Sequence, residues 1–256
     1  MISVRDLTFS YGEKPVLEHL SFNVAEGGLT ALLGCNGTGK TTLFRCLLGI
    51  MPRYTGEIEL DGRELRQYSA GQLAHKIAYI PQNHYPAFNY SVLDMVLMGT
   101  TQQLRAFSSP GEKQIRLANE AMERLGISAL SGRDYMHLSG GEKQMVLIAR
   151  ALAQQAPVLL MDEPTASLDF GNQLRVMEQV RELSRTGYTV IMSTHNPQHA
   201  LSYCDRVLAL KGGRVQADGT PEAVIDEALM QALYGVSVAF EDTSCGRIIM
   251  AASGRK

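Results

Sequence analysis

The 256-residue chain carries 24 basic and 26 acidic residues, a formal net charge of −2, which argues against nucleic-acid binding driven by bulk positive charge. With 45% hydrophobic and 20% charged residues, it can bury a substantial core as one domain, with or without a sizeable insertion. No apolar run approaches the ~18–20 residues that cross a bilayer, and the opening segment Met1–Asp6 lacks the basic and apolar parts of a secretion signal.

Taken in chain order, Val4, Leu7 and Phe9 give strand-like alternation that stops at the turn signal Tyr11-Gly12. A second strand is predicted over Val16 to Val24, and a third, almost wholly apolar, over Leu29 to Leu33. That third strand enters a glycine-rich turn, followed by a helix over Thr41 to Leu48. Short apolar runs at Ile77–Ile80, Val158–Met161, Val190–Met192 and Val207–Leu210 read as buried strands of a covered parallel sheet. Between about Gln82 and Arg150 the character turns helical, with segments Leu93–Met98, Glu112–Leu125 and Gly141–Ala153 and no good strand between them. A further helix is predicted over Asn172–Ser184. Pro221 opens a predicted helix to about Leu233, and a loose tail is expected from Ser253. Cys35, Cys46, Cys204 and Cys245 form no C-x-x-C pair, so neither a disulfide framework nor a zinc site is indicated and a reduced, cytosolic protein is expected.

Gly34-Cys35-Asn36-Gly37-Thr38-Gly39-Lys40-Thr41 is a complete G-x-x-x-x-G-K-[ST] pattern set between an apolar strand and a helix. Its glycines let successive N–H groups converge on phosphate oxygens, and the helix N-terminus adds a favourable dipole. Lys40 would reach the β- and γ-phosphates, and the Thr41 hydroxyl would ligate Mg²⁺. Val158-Leu159-Leu160-Met161-Asp162-Glu163 places two carboxylates at the carboxyl end of a buried strand, where open α/β sheets bind ligands. Asp162 would hold the Mg²⁺, directly or through water, and Glu163 would polarise an attacking water. Alone, apolar-Asp-Glu fits a solvated strand end better; paired with the phosphate loop, the balance reverses. In Leu138-Ser139-Gly140-Gly141-Glu142-Lys143-Gln144 a serine caps a helix behind bare glycines, leaving a terminus open to anions.

This last segment resembles the signature sequence of ATP-binding cassette (ABC) ATPases, and the resemblance extends over roughly residues 1–240. It implies an α/β fold: a P-loop NTPase core with a mainly parallel sheet, flanking helices and an N-terminal antiparallel β-subdomain, interrupted by an inserted α-helical subdomain. The core would comprise residues 1–82 and 151–220 and the insertion about 83–150, with a C-terminal helix and short tail over 221–256. In the same resemblance Tyr11 stacks on adenine, and Asn36, Gly37, Thr38, Gly39 and Thr42 join Gly34, Lys40 and Thr41 around ATP. Gln82 matches the glutamine that senses Mg²⁺ and the γ-phosphate, Ser167-Leu168-Asp169 the D-loop, and His195 the switch histidine. Cys35 stands where relatives very often have proline.

The resemblance further implies a head-to-tail homodimer, in which Ser139, Gly140, Gly141 and Asp169 of one copy complete the ATP site of the other. Without membrane spans of its own, such a subunit would work at the cytoplasmic face of a bacterial membrane on two separate permease subunits, with a substrate-binding protein in the complex. The aromatic stretch His84-Tyr85-Pro86-Ala87-Phe88-Asn89-Tyr90 is the candidate docking surface. Tyr90–Gly99, Leu168–Gln173 and Leu233-Tyr234-Gly235-Val236 look like segments of importers for iron-siderophore, haem and vitamin B12. An importer of an oxyanion or free metal ion is the nearest alternative. An ATPase acting on DNA or ribosomes would need a long coiled coil or second cassette, and no N-K-x-D segment suits a GTP switch.

Overall fold

The computed structural model describes residues 2–84, 86, 88–104, 108–244 and 246–252. Strands β1 (Ile2–Tyr11), β2 (Lys14–Val24) and β3 (Leu29–Leu33) lead to helix α1 (Lys40–Leu47), then β4 (Thr55–Leu60) and β5 (Arg63–Glu64). Helix α2 (Ala70–Ala74), strand β6 (Ile77–Ile80) and helices α3 (Val92–Leu97), α4 (Glu112–Arg124) and α5 (Gly140–Ala153) follow. Next come β7 (Val158–Asp162), α6 (Phe170–Arg185), β8 (Thr189–Thr194), α7 (Pro197–Tyr203), β9 (Arg206–Lys211) and β10 (Arg214–Gly219). Helices α8 (Pro221–Val224) and α9 (Glu227–Tyr234) and strands β11 (Val238–Thr243) and β12 (Gly246–Ala251) complete the described chain.

The chain divides into two compact units, residues 1–67 with 184–256, and residues 68–183. In the first, β1 lies antiparallel between β2 and β4, and β5 hairpins onto β4. A second layer places β3 parallel between β8 and β9, and β10 returns antiparallel along β9. All five residues of β3 and all six of β8 are buried, as strands covered on both faces require, which is why both carry apolar runs without polar alternation. Arg206 and Asp218 clamp β9 to β10 with two hydrogen bonds of 2.7 Å, and this pairing raises the guanidinium's pKa.

In the second unit β6 runs parallel to β7, and α3, α4 and α5 pack on one another. Between residues 82 and 150 the described residues hold only an isolated bridge, Ser91 to Asp134, in keeping with the helical reading of this stretch. Ser91 caps α3 and Ser69 caps α2, each through a reciprocal capping box.

Two expectations need correction. The single helix from Pro221 to Leu233 is two, α8 and α9, because Ile225 turns to an extended conformation and Asp226 starts a new helix by accepting the Leu229 N–H at 2.7 Å. The C-terminal segment is also more than a helix and tail: Val238–Thr243 and Gly246–Ala251 form an antiparallel hairpin. Its strands are mostly exposed or half-exposed, and the first ends in Glu241-Asp242-Thr243, so no buried run marks it out in the sequence. Cys245 and the tail from Ser253 lie outside the described residues.

Candidate functional site

In the first unit the candidate residues gather where β3 and β8 end. Gly34 closes β3 by donating its N–H to the Thr194 carbonyl of β8 at 3.2 Å. A β-carbon at Gly34 would stand 2.6 Å from the Leu210 carbonyl, so only glycine allows this approach to β9. Asn36 and Gly37 are exposed at the crown of the loop, and the Thr38 hydroxyl donates to the Cys35 carbonyl at 2.9 Å. Gly39, at φ 99°, caps α1 in the left-handed region that favours glycine. Helix α1 has no side-chain cap and no acid in its first turn, so its positive end suits an anion. Lys40 is buried, its ammonium donating to the Gly34 and Cys35 carbonyls at 2.7 and 3.0 Å. Thr41 is half-buried and Thr42 buried, one residue further into the helix.

His195 is exposed and directly follows β8; Asn196 then caps α7 by accepting from the N–H groups of Gln198 and His199. Tyr11, at the end of β1, is 44% exposed and meets Phe9 in a T-shaped ring contact with centroids 5.0 Å apart. The Arg45 guanidinium donates to its hydroxyl at 3.5 Å.

In the second unit Asp162 ends β7 and is 4% exposed, and the Tyr79 hydroxyl of β6 donates to its carboxylate at 3.2 Å. Glu163 follows at φ 46°, a left-handed conformation that costs a non-glycine residue about 1–3 kcal/mol and is retained mainly at functional sites. The Gln82 amide donates to the Glu163 carboxylate at 3.4 Å, so the structure brings together two candidates that lie 81 residues apart. In this unit Asp162 and Gln82 offer oxygen donors toward a cation, and the described residues hold no cluster of three or more His, Cys, Asp or Glu. A carboxylate with an amide oxygen fits Mg²⁺, which retains water and binds through substrate phosphates.

Ser139 caps α5 in a capping box: its hydroxyl accepts from the Glu142 N–H, and the Glu142 carboxylate accepts from the Ser139 N–H at 2.8 Å. Gly140 and Gly141 have a packing reason of their own. A β-carbon at 141 would sit 2.4 Å from the Asn172 amide, and one at 140 would sit 3.2 Å from Leu168. Asn172 is itself fixed, donating to the Asp169 carboxylate from its backbone at 2.9 Å and its side chain at 2.7 Å. These bonds hold the Asp169 pKa below the usual carboxylate range. Sequence reading did not single out Tyr79 or Asn172 as supports. The one available signal was a phenol in the otherwise apolar run Ile77–Ile80.

The Ser139 N–H bond, and next the Ser139 hydroxyl, lower the Glu142 pKa from its ordinary 4.5. Its share of stability is therefore complete above that value and lost as pH falls through the lowered folded value. Thermal unfolding of Glu142→Gln is expected to show a smaller loss of midpoint than the parent between pH 6 and the acid limb; parallel curves would refute the capping role.

His84 accepts from Arg150 at 3.4 Å and stacks edge-on to Tyr135, while Phe88 is 70% exposed beside Tyr90. Tyr85 and Ala87 of the same candidate docking stretch lie outside the described residues. Among the described residues no helix is long and apolar enough to cross a membrane.

The ABC transporter family matches over residues 17–166. An uncharacterized ABC transporter ATP-binding protein of Haemophilus influenzae is 44% identical over 210 residues, covering 82% of this chain and 80% of its own. A Helicobacter pylori protein named for iron chelatin transport is 37% identical over 236 residues, covering 91% of this chain and 92% of its own. Among solved structures, a metal-chelate type ABC transporter in an inward-facing conformation superposes with a TM-score of 0.85 at 31% identity, over 97% of this chain and 94% of its own. With the phosphate loop, the strand-end carboxylates and the capped glycine pair all in place, the chain belongs to the ABC transporter family as an ATP-hydrolysing, ATP-binding subunit.

Proposed function

We propose that this subunit drives a bacterial importer of a metal chelate (an iron-siderophore, haem or cobalamin) through two separate permease subunits fed by a substrate-binding protein. The support for metal-chelate cargo is the likeness to the iron-chelatin and metal-chelate relatives, together with the segments Tyr90–Gly99, Leu168–Gln173 and Leu233–Val236. The subunit works at the cytoplasmic face of the membrane, with the exposed Phe88 and its neighbours toward a permease.

The observation that carries the hydrolytic reading is the Gln82–Glu163 pair at the end of β7, beside a carboxylate already held by Tyr79. Tyr11 stacks on adenine. Gly34 opens the loop, and the N–H groups of Asn36, Gly37, Thr38, Gly39, Lys40, Thr41 and Thr42 and the Lys40 ammonium bind the phosphates, Lys40 exchanging its carbonyl partners for phosphate oxygens. Thr41, Asp162 and Gln82 would hold Mg²⁺, which would offset charge on the β- and γ-phosphates. Glu163 takes the proton of the attacking water, and His195 contacts the γ-phosphate as negative charge develops. Ser139, Gly140, Gly141 and Asp169 of a second copy close over the same ATP, so nucleotide is part of the homodimer interface and hydrolysis opens it.

Completion in trans has a direct test. Lys40→Ala and Ser139→Arg should each be inactive, yet mixing them creates heterodimers with one site intact in both halves. Phosphate release should recover toward about a quarter of the parent rate, from half the dimers carrying one of two sites. No recovery despite heterodimers seen by mass would refute it. The cargo is tested by ATPase stimulation in the reconstituted permease complex with ferric chelates, haem or cobalamin; stimulation only by an oxyanion or free metal ion would replace the substrate assignment.

A further inference from the structure

We infer that the last turn of α9 is a brace for the phosphate loop and the switch histidine, and that Tyr234 is a positioning residue for His195. The inference rests on the role given to His195 above. Helix α9 ends at Gly235 in the left-handed conformation, and the carbonyls of a helix's last turn need partners from outside the helix. Leu233 finds one in Cys35, whose Sγ donates to its carbonyl at 3.0 Å. The next residue, Tyr234, sends its hydroxyl to the His195 carbonyl at 3.1 Å. Two adjacent residues of one turn thus hold the two loops that meet through the Gly34–Thr194 hydrogen bond.

The same C-terminal segment grips α7 as well. Gln198 donates from Nε2 to the Arg247 carbonyl at 3.0 Å and accepts the Ile249 N–H at 2.9 Å, so the β12 backbone is read as a strand would read it. His195 therefore lies between a buried strand, a capped helix pinned to the C-terminal hairpin, and a phenol fixed on α9. Tyr234 reaches the backbone of His195, so it sets where the imidazole starts from. Cys35 also gains a reason: a proline at that position would give Leu233 no donor.

The test is a double-mutant cycle on the full chain with Tyr234→Phe, His195→Ala and both together. Removal of the hydroxyl alone should lower kcat roughly three- to tenfold, the loss of one modest hydrogen bond, while KM for ATP and the thermal midpoint stay close to the parent values. In the His195→Ala background the same change should cost nothing further. Amide exchange at residues 194–197 gives a readout independent of turnover and should quicken in Tyr234→Phe. Unchanged kcat and exchange in Tyr234→Phe, or an equal loss with and without His195, would overturn the positioning role alone. Full turnover in His195→Ala would overturn the role of His195 and this inference with it.

Discussion

Glu163→Gln should lower ATP turnover by about 10²–10⁴-fold while ATP still binds, the range a positioned general base contributes. The substitution keeps the shape of a half-buried residue and exchanges a proton acceptor for an amide. A glutamine here can turn its carbonyl toward the Gln82 amide, which now donates to the carboxylate at 3.4 Å, so the local hydrogen bond survives. The left-handed backbone at φ 46° also remains, since it is set by the turn in which the Ala166 N–H bonds the Glu163 carbonyl at 3.0 Å. What is lost is basicity. Because hydrolysis is what opens the proposed dimer, the variant should accumulate as an ATP-bound dimer on sizing columns. Near-normal phosphate release would remove Glu163 from the role of base.

Gly99→Ala should destabilise the chain by about 4 kcal/mol or more, a size reserved for specific steric conflicts. A β-carbon at this buried position would lie 1.9 Å from the Arg150 carbonyl oxygen and 2.9 Å from its carbon. The obstacle is the backbone of α5, within the 14-residue helix that Ser139 caps, and it cannot swing aside as a side-chain tip would. Arg150 is tied to His84, just beyond Gln82, so a displaced α5 would loosen that segment as well. Urea unfolding of the purified variant measures the loss; a change below about 1 kcal/mol would mean that α5 yields and the approach is not close-packed.

The phosphate loop was legible because its chemistry dictates its spacing: a backbone that wraps phosphate needs glycine where a β-carbon would strike Leu210 or Leu17. Strands β3, β7 and β8 were legible because burial on both faces leaves no polar alternation to obscure them. Strands β4, β5 and β10 were not. They are half-exposed and gain their identity from partners far along the chain, as when Ile58 pairs with Val4. The predicted helix after Pro221 failed for a local reason, since apolar spacing continues through Ile225 while the Asp226 cap restarts the helix.

The sequence by itself determined the chemistry on offer: a lysine, hydroxyls, carboxylates and a histidine at or just beyond the ends of buried strands, beside glycines that the tight turn requires. Tertiary structure alone decided which neighbours aim those groups. Tyr79 reaches Asp162 across 83 positions and Tyr234 reaches His195 across 39, and Gly141 is glycine because Asn172 stands against it. Such supports are single hydrogen bonds and single close approaches between distant segments. They impose no periodicity or spacing on the chain, so they exist only once the elements have packed.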